Sequence, residues 1–151
     1  MTGETIFVDS SVFIAFFIDG IHVFEKLKKY RLVTSVNVIE EVTYILMKER
    51  AKEMTGIERH YDLLTHLREN PDLIAEISKE VISDVSNVLD FLDIVVLPPA
   101  GHSIMFEVIK TYGLLPNDAL IAATCKYYGI KKIATFDEDF KRVDFLEVVE
   151  A

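Results

Sequence analysis

The feature that most limits the fold is the alternation of short apolar runs with longer segments of helical period. Ile6-Phe7-Val8 is β-branched or aromatic and stops at Asp9. Leu32-Val33, Ile94 to Leu97 and Ile133-Ala134 are runs of the same kind, and Leu146 to Val149 reads as a last strand. The runs are continuous rather than strictly alternating, the mark of strands covered on both faces, and the Ile94 to Leu97 run in particular reads as a buried strand. Between the runs the period changes. Ser10 and Ser11 open a helix over Val12 to Phe17, and a second helix is expected from Ile21 to Tyr30, with a basic tail suited to a helix C-terminus. Thr34 and Ser35 lead into a third, whose apolar face is Val38, Ile39, Val42, Ile45 and Leu46.

Helical spacing continues over Ile57 to Leu67, breaks at Asn70-Pro71, and resumes from Leu73 to Leu92. A helix from His102 to Tyr112 closes at Gly113; Pro116-Asn117-Asp118 opens another that runs to Tyr128 and stops at Gly129. Phe136 to Phe140 reads as a tight turn or short helix before the last strand. Strands separated by helices predict an α/β fold, a central parallel sheet with helices on both faces in a three-layer sandwich. With 151 residues a chain buries about 70% of its unfolded surface, enough for one ordinary core. A single domain over residues 1–151 is expected, with about 54–92 a helical insertion or clip within it.

Charge and cysteine content narrow the function classes. One cysteine, Cys125, excludes an internal disulfide and any multi-cysteine metal site, and its alanine-rich helix face makes it a small core residue. His22, His60, His66 and His102 are scattered and form no ligand set. The net charge of −9 opposes non-specific attraction to nucleic acid or anionic membrane but suits divalent cations and a basic protein partner. The N-terminus lacks the order of a signal peptide, and no run approaches the roughly 20 apolar residues of a membrane span, so a cytoplasmic location is expected.

In an open α/β sheet, ligands bind beyond the carboxyl ends of the strands. Four acids fall there: Asp9 after the first strand, Glu41 in the helix after the second, Asp118 in the first turn of its helix, and Asp137 after the strand at Ile133. Each has an ordinary alternative. Asp9 and Asp118 suit helix N-termini, Glu41 could turn to solvent beside Glu40, and Asp137 and Asp139 suit a turn. Their coincidence at corresponding ends of the elements is what favours a shared role. Carboxylates drawn together repel unless a cation intervenes, and an all-oxygen set suits Mg²⁺ or Mn²⁺.

The phrases IFVDSSVFIAFF, TSVNVIEEVTYIL, LLPNDALIAATCKYYGI and IATFDEDF resemble, in order and spacing, the four signature blocks of the PIN-domain family. Together they span about residues 5 to 140, and NDALIAA followed by ATFDEDF is the most telling pair. The size resembles VapC-type toxins and stand-alone prokaryotic PIN proteins. The resemblance implies a PIN-like parallel α/β sheet and an endoribonuclease dependent on Mg²⁺ or Mn²⁺. It implies Asp9, Glu41, Asp118 and Asp137 as catalytic metal ligands. Ser10, Asn117, Thr135 and Asp139 are their candidate polar neighbours, Asn117 being equally suited to capping a helix. It further implies an RNA substrate, an antitoxin protein as a possible partner, and a homodimer. The 54–92 segment is long beside the smallest members; it suits a clip over the site, a dimer surface, an antitoxin groove, or two helices packed on the core.

The basic residues best placed by sequence to guide a phosphate backbone are Lys26, Lys28, Lys29 and Arg31, then Lys48, Arg50 and Lys52. Two rivals remain at this level. One is a catalytically silent protein- or RNA-binding module on the same fold, against which the presence of all four acids weighs. The other is a phosphoryl-accepting switch or dehalogenase-like phosphatase; the latter needs an aspartate two residues after the first, where this chain has Ser11.

Overall fold

Ile6, Phe7 and Val8 are fully buried, which a strand achieves only with neighbours on both edges and layers on both faces. In the computed structural model, which describes residues 3–151, this strand is accordingly the centre of a five-stranded sheet in the order β3-β2-β1-β4-β5. The strands are β1 (Thr5–Val8), β2 (Arg31–Ser35), β3 (Val95–Leu97), β4 (Lys132–Ala134) and β5 (Glu147–Val149). Every pairing is parallel; Ile6 lies opposite Leu32, and Val8 opposite Ala134.

The helices are α1 (Ser10–Phe17), α2 (Val36–Thr55), α3 (His60–Glu69), α4 (Pro71–Phe91), α5 (His102–Tyr112) and α6 (Pro116–Tyr128). The chain steps from β1 outward through β2 to β3, then crosses back to place β4 on the other side of β1. Right-handed crossovers therefore carry α1 and α2 over one face and α5 and α6 over the other, giving the three layers. The direction reverses between β1 and β4, and the crevice beyond their carboxyl ends is the natural ligand position.

Most of the buried apolar residues form one cluster around the sheet. A second cluster, Ala51, Leu63, Ile77, Val81 and Val85, joins the far half of α2 to α3 and α4. Residues 60–91 are thus two helices packed on an extension of α2. Cys125 is fully buried in the main core, and burial, with Asp9 adding to it, pushes its thiol well above the usual range.

Two expectations are corrected. The segment from Ile21 to Tyr30 holds only a 3₁₀ turn, Val23–Leu27. Val23, Phe24 and Leu27 are all buried, so three anchors in five residues pin the segment before an α-helix can extend. The run at Ile94 to Leu97 is no interior strand. Only Ile94 is buried; β3 is the sheet's edge, with Val95 53% exposed. A continuous apolar run marks strand propensity but does not reveal how many neighbours the strand has.

Candidate metal centre

The crevice is built outward from Asp9, which is 3% exposed. Its backbone N–H donates to the carbonyl of Ala134 at 3.0 Å, carrying the β1–β4 pairing to the strand ends. Although it stands at the N-cap position of α1, its side chain makes no capping bond. Oδ2 accepts instead from the hydroxyls of Ser11 (2.9 Å) and Thr135 (2.7 Å), and Oδ1 from Ser10 (3.3 Å). A buried carboxylate needs such donors to offset lost hydration.

The same two hydroxyls reach onward. Ser11 Oγ accepts from the Phe136 N–H at 3.0 Å, and Thr135 Oγ1 from the Asp137 N–H at 2.9 Å. Asp9 is thereby tied through two relays to the turn after β4. In that turn Asp137 Oδ1 accepts from the Asp139 N–H at 2.9 Å, capping the 3₁₀ turn Glu138–Arg142. The turn role of Asp137 and its place in the crevice coexist.

From the other wall, Glu41 accepts from Asn117 Nδ2 at 3.0 Å, and Asn117 Oδ1 accepts from Asn37 Nδ2 at 3.0 Å. Ser35 Oγ donates to the Asn37 side chain in turn. Asn117 is therefore no helix cap: α6 begins after Leu115 without a side-chain capping bond, and the amide bridges two elements. Glu40 is exposed to solvent.

Asp118, in the first turn of α6, is the point of convergence. Its pKa is pushed up to about 6, first by burial and then by Asp137, Asp9, Glu41 and Asp139. Asp118, Asp137 and Asp139 each offer an oxygen within 4.8 Å of the other two. Asp9 and Glu41 are not part of this triplet, but both act on Asp118 electrostatically. Asp139, expected only as a neighbour, is one of the three. Arg142 donates to Asp139 Oδ1 at 3.2 Å and to the Gly113 carbonyl at 3.0 Å, joining the β4 turn to the α5–α6 junction. All donors in the triplet are carboxylate oxygens, and no histidine or cysteine joins it among the described residues. An all-oxygen set of this kind suits a hard divalent cation.

Sequence reasoning missed Ser11 and Asn37. Both had a signal: Ser11 is a second hydroxyl directly after a strand-end acid, and Asn37 precedes Glu41 by one helical turn, hence on the same face. The expected basic strip is also corrected. Arg31 opens β2 opposite Thr5, so it sits at the amino end of the sheet, away from the acids. Lys28 shares a groove there with Arg31 and Asp93, and Lys29 lies over the Tyr30 ring. Arg50 is paired with Glu53 and Glu80, and Lys52 with Glu49. Lys26 differs: it shares a groove of 260 Å³ with Thr135, Phe136 and Asp137. Among the described residues no helix is long and apolar enough to cross a membrane.

With this geometry in place, comparison with known proteins is specific. Ribonuclease VapC2 of Methanocaldococcus jannaschii is 36% identical, the match covering 99% of this chain and 96% of that protein. Ribonuclease VapC6 of the same organism is 34% identical, covering 99% of both. The crystal structure of PAE2754 from Pyrobaculum aerophilum superposes with a TM-score of 0.57 at 19% identity, over 97% of this chain and 90% of that one, a likeness of fold. A profile of the PIN domain matches residues 6–146. The chain belongs to the PIN domain family.

Proposed function

We propose that this protein is a divalent-metal-dependent endoribonuclease that hydrolyses RNA phosphodiester bonds, the toxin member of a toxin–antitoxin pair acting in the cytoplasm. Full-length similarity to two ribonucleases of the VapC kind supports the activity. The observation that carries the chemistry is the convergence of carboxylates on Asp118, whose pKa burial and four neighbouring acids push up to about 6.

In this reading Asp9, Glu41, Asp118 and Asp137 hold one or two Mg²⁺ or Mn²⁺ ions, with Asp139 beside them. A bound divalent cation supplies Lewis-acid polarisation of the phosphodiester and a water-derived nucleophile at neutral pH. The protein supplies position. Ser10, Ser11 and Thr135 fix the Asp9 carboxylate, so its oxygens are aimed before any cation arrives. Asn117 holds Glu41 toward Asp118 from the opposite wall. Arg142 fixes Asp139 and offsets part of the local negative charge. A histidine general base is not needed. The same reading gives the chain two protein partners, an antitoxin and a second copy of itself. Exposed Ile82 and Phe91 and the apolar groove beside Phe16 offer area for association.

The test is cleavage of a mixed RNA pool in Mn²⁺ by wild type, Asp137→Asn and Asp9→Asn, with fold checked by circular dichroism. Cleavage by wild type and loss of at least a hundredfold in folded variants is expected. Equal cleavage by the variants would refute the carboxylate assignment.

A further inference from the structure

The segments that carry the acids also present apolar side chains to solvent around them. Phe136 is 45% exposed although it lies between Thr135, which bonds Asp9, and Asp137. Its backbone is held by the bond from its N–H to Ser11, so the ring has a fixed base. On the opposite wall Asn37, Glu41 and Tyr44 follow one another at helical spacing on one stripe of α2. Asn37 and Glu41 face the crevice, since both bond Asn117, and Tyr44 continues the stripe one turn on, 45% exposed. A centre that handled only phosphate would be served by polar walls. Aromatic rings beside a phosphate-handling site suit a nucleic acid whose bases are unstacked and can lie on them.

We propose that Phe136 and Tyr44 are base-stacking platforms on either side of the carboxylate cluster, Phe136 the principal one. This rests on the ribonuclease reading above. The groove beside Phe136 also holds Lys26 and Lys141. Lys141 is occupied by Glu138 at 2.9 Å, whereas Lys26 enters no ion pair among the described residues. Lys26 is thus the cation for the phosphate next to the stacked base. Glu138 and Glu150 line the same groove, so electrostatics there are weak and stacking carries the affinity. Phe136 and Tyr44 act on binding and orientation of the nucleotide; neither takes part in bond cleavage.

The experiment uses short single-stranded oligoribonucleotides that cover all dinucleotide steps, with 2-aminopurine at successive positions. Binding is read in Ca²⁺ by quenching of that base, and cleavage of the same strands in Mn²⁺. The proteins are wild type, Phe136→Ala, Phe136→Tyr, Tyr44→Leu and Lys26→Gln. Phe136→Ala is expected to weaken binding about tenfold and abolish quenching at one position, as loss of one stacked base does. KM should rise with kcat nearly unchanged, Phe136→Tyr should restore both, and Tyr44→Leu should weaken binding less, affecting a different position. Lys26→Gln should lower the slope of log affinity against log salt by about 0.7.

If wild type cleaves and Phe136→Ala binds and cleaves as well as wild type, the platform is refuted and the nuclease reading stands. If wild type quenches through Phe136 yet cleaves no strand, stacking stands and the nuclease reading fails. Absence of binding by wild type to every strand overturns the platform outright.

Discussion

Replacing Asp118 by asparagine should stabilise the metal-free protein while removing its metal site. Asp118 titrates at about 6 in the fold against an ordinary value of 3.8, mainly because it is partly buried and then because four carboxylates surround it. Such a group binds more protons folded than unfolded between those two values. Stability therefore falls as pH climbs through about 4 to 6 and stays lowered above that window. At about 1.4 kcal/mol per pH unit the gap corresponds to about 3 kcal/mol. Contact with water screens it, leaving about 1.5 kcal/mol for a side chain that is only partly buried. Asp118→Asn should thus raise Tm by about 3–6 °C at pH 7.5 in EDTA. The difference should shrink steadily as the pH falls through that window and vanish below it, where the wild-type carboxyl is protonated in both states. Saturating Mn²⁺ should invert the order, because only wild type gains binding energy, about 2.7 kcal/mol at a hundred times Kd. Differential scanning calorimetry at several pH values, with and without Mn²⁺, measures all of this. A variant less stable than wild type at pH 7.5 in EDTA, or a Tm offset independent of pH, would refute the repulsion on which the metal assignment rests.

Other residues give separate outcomes. Thr135→Val keeps the shape but removes a donor to buried Asp9 and the acceptor for the Asp137 N–H; it should cost about 1–3 kcal/mol in urea unfolding and weaken Mn²⁺ binding in calorimetric titration. Asn117→Ala frees Glu41 at an exposed position, so Mn²⁺ affinity should fall about tenfold with Tm nearly unchanged; an unchanged affinity would remove Asn117 from the site. Leu63→Ala opens a hole in the cluster beneath α3 and α4 and should cost about 2–5 kcal/mol, with Mn²⁺ affinity at 20 °C kept, since that cluster lies away from the acids. Hydrogen exchange should then show α3 and α4 opening before the sheet.

Asp118 shows why part of the site was legible early. Its helix starts at Pro116 and stops at Gly129, and the acid's place in the first turn follows from counting. Asp9 and Asp137 were legible from the strands, Asp9 directly after β1 and Asp137 three residues past β4. Asp139 was harder, since an acid in FDEDF suits any turn. Its place beside Asp118 and Asp137 is a matter of how the turn after β4 meets the start of α6, two segments about 20 residues apart in sequence.

Local sequence decided what local forces decide. Apolar runs set the strands, helical period set the helices, and glycine at 113 and 129 stopped two of them in the left-handed backbone that glycine adopts without strain. The acids at strand ends and the family motifs followed from order along the chain. Tertiary structure decided everything that depends on which elements are neighbours. It made β3 an edge, shortened the segment after α1 to a 3₁₀ turn, and sent Arg31 to the far end of the sheet. It also turned Asn117 from a cap into a bridge and joined Ser11 to Thr135 around Asp9. Periodicity reports how a segment meets water and core, whereas hydrogen bonds across 76 or 126 residues report a topology that no local pattern encodes.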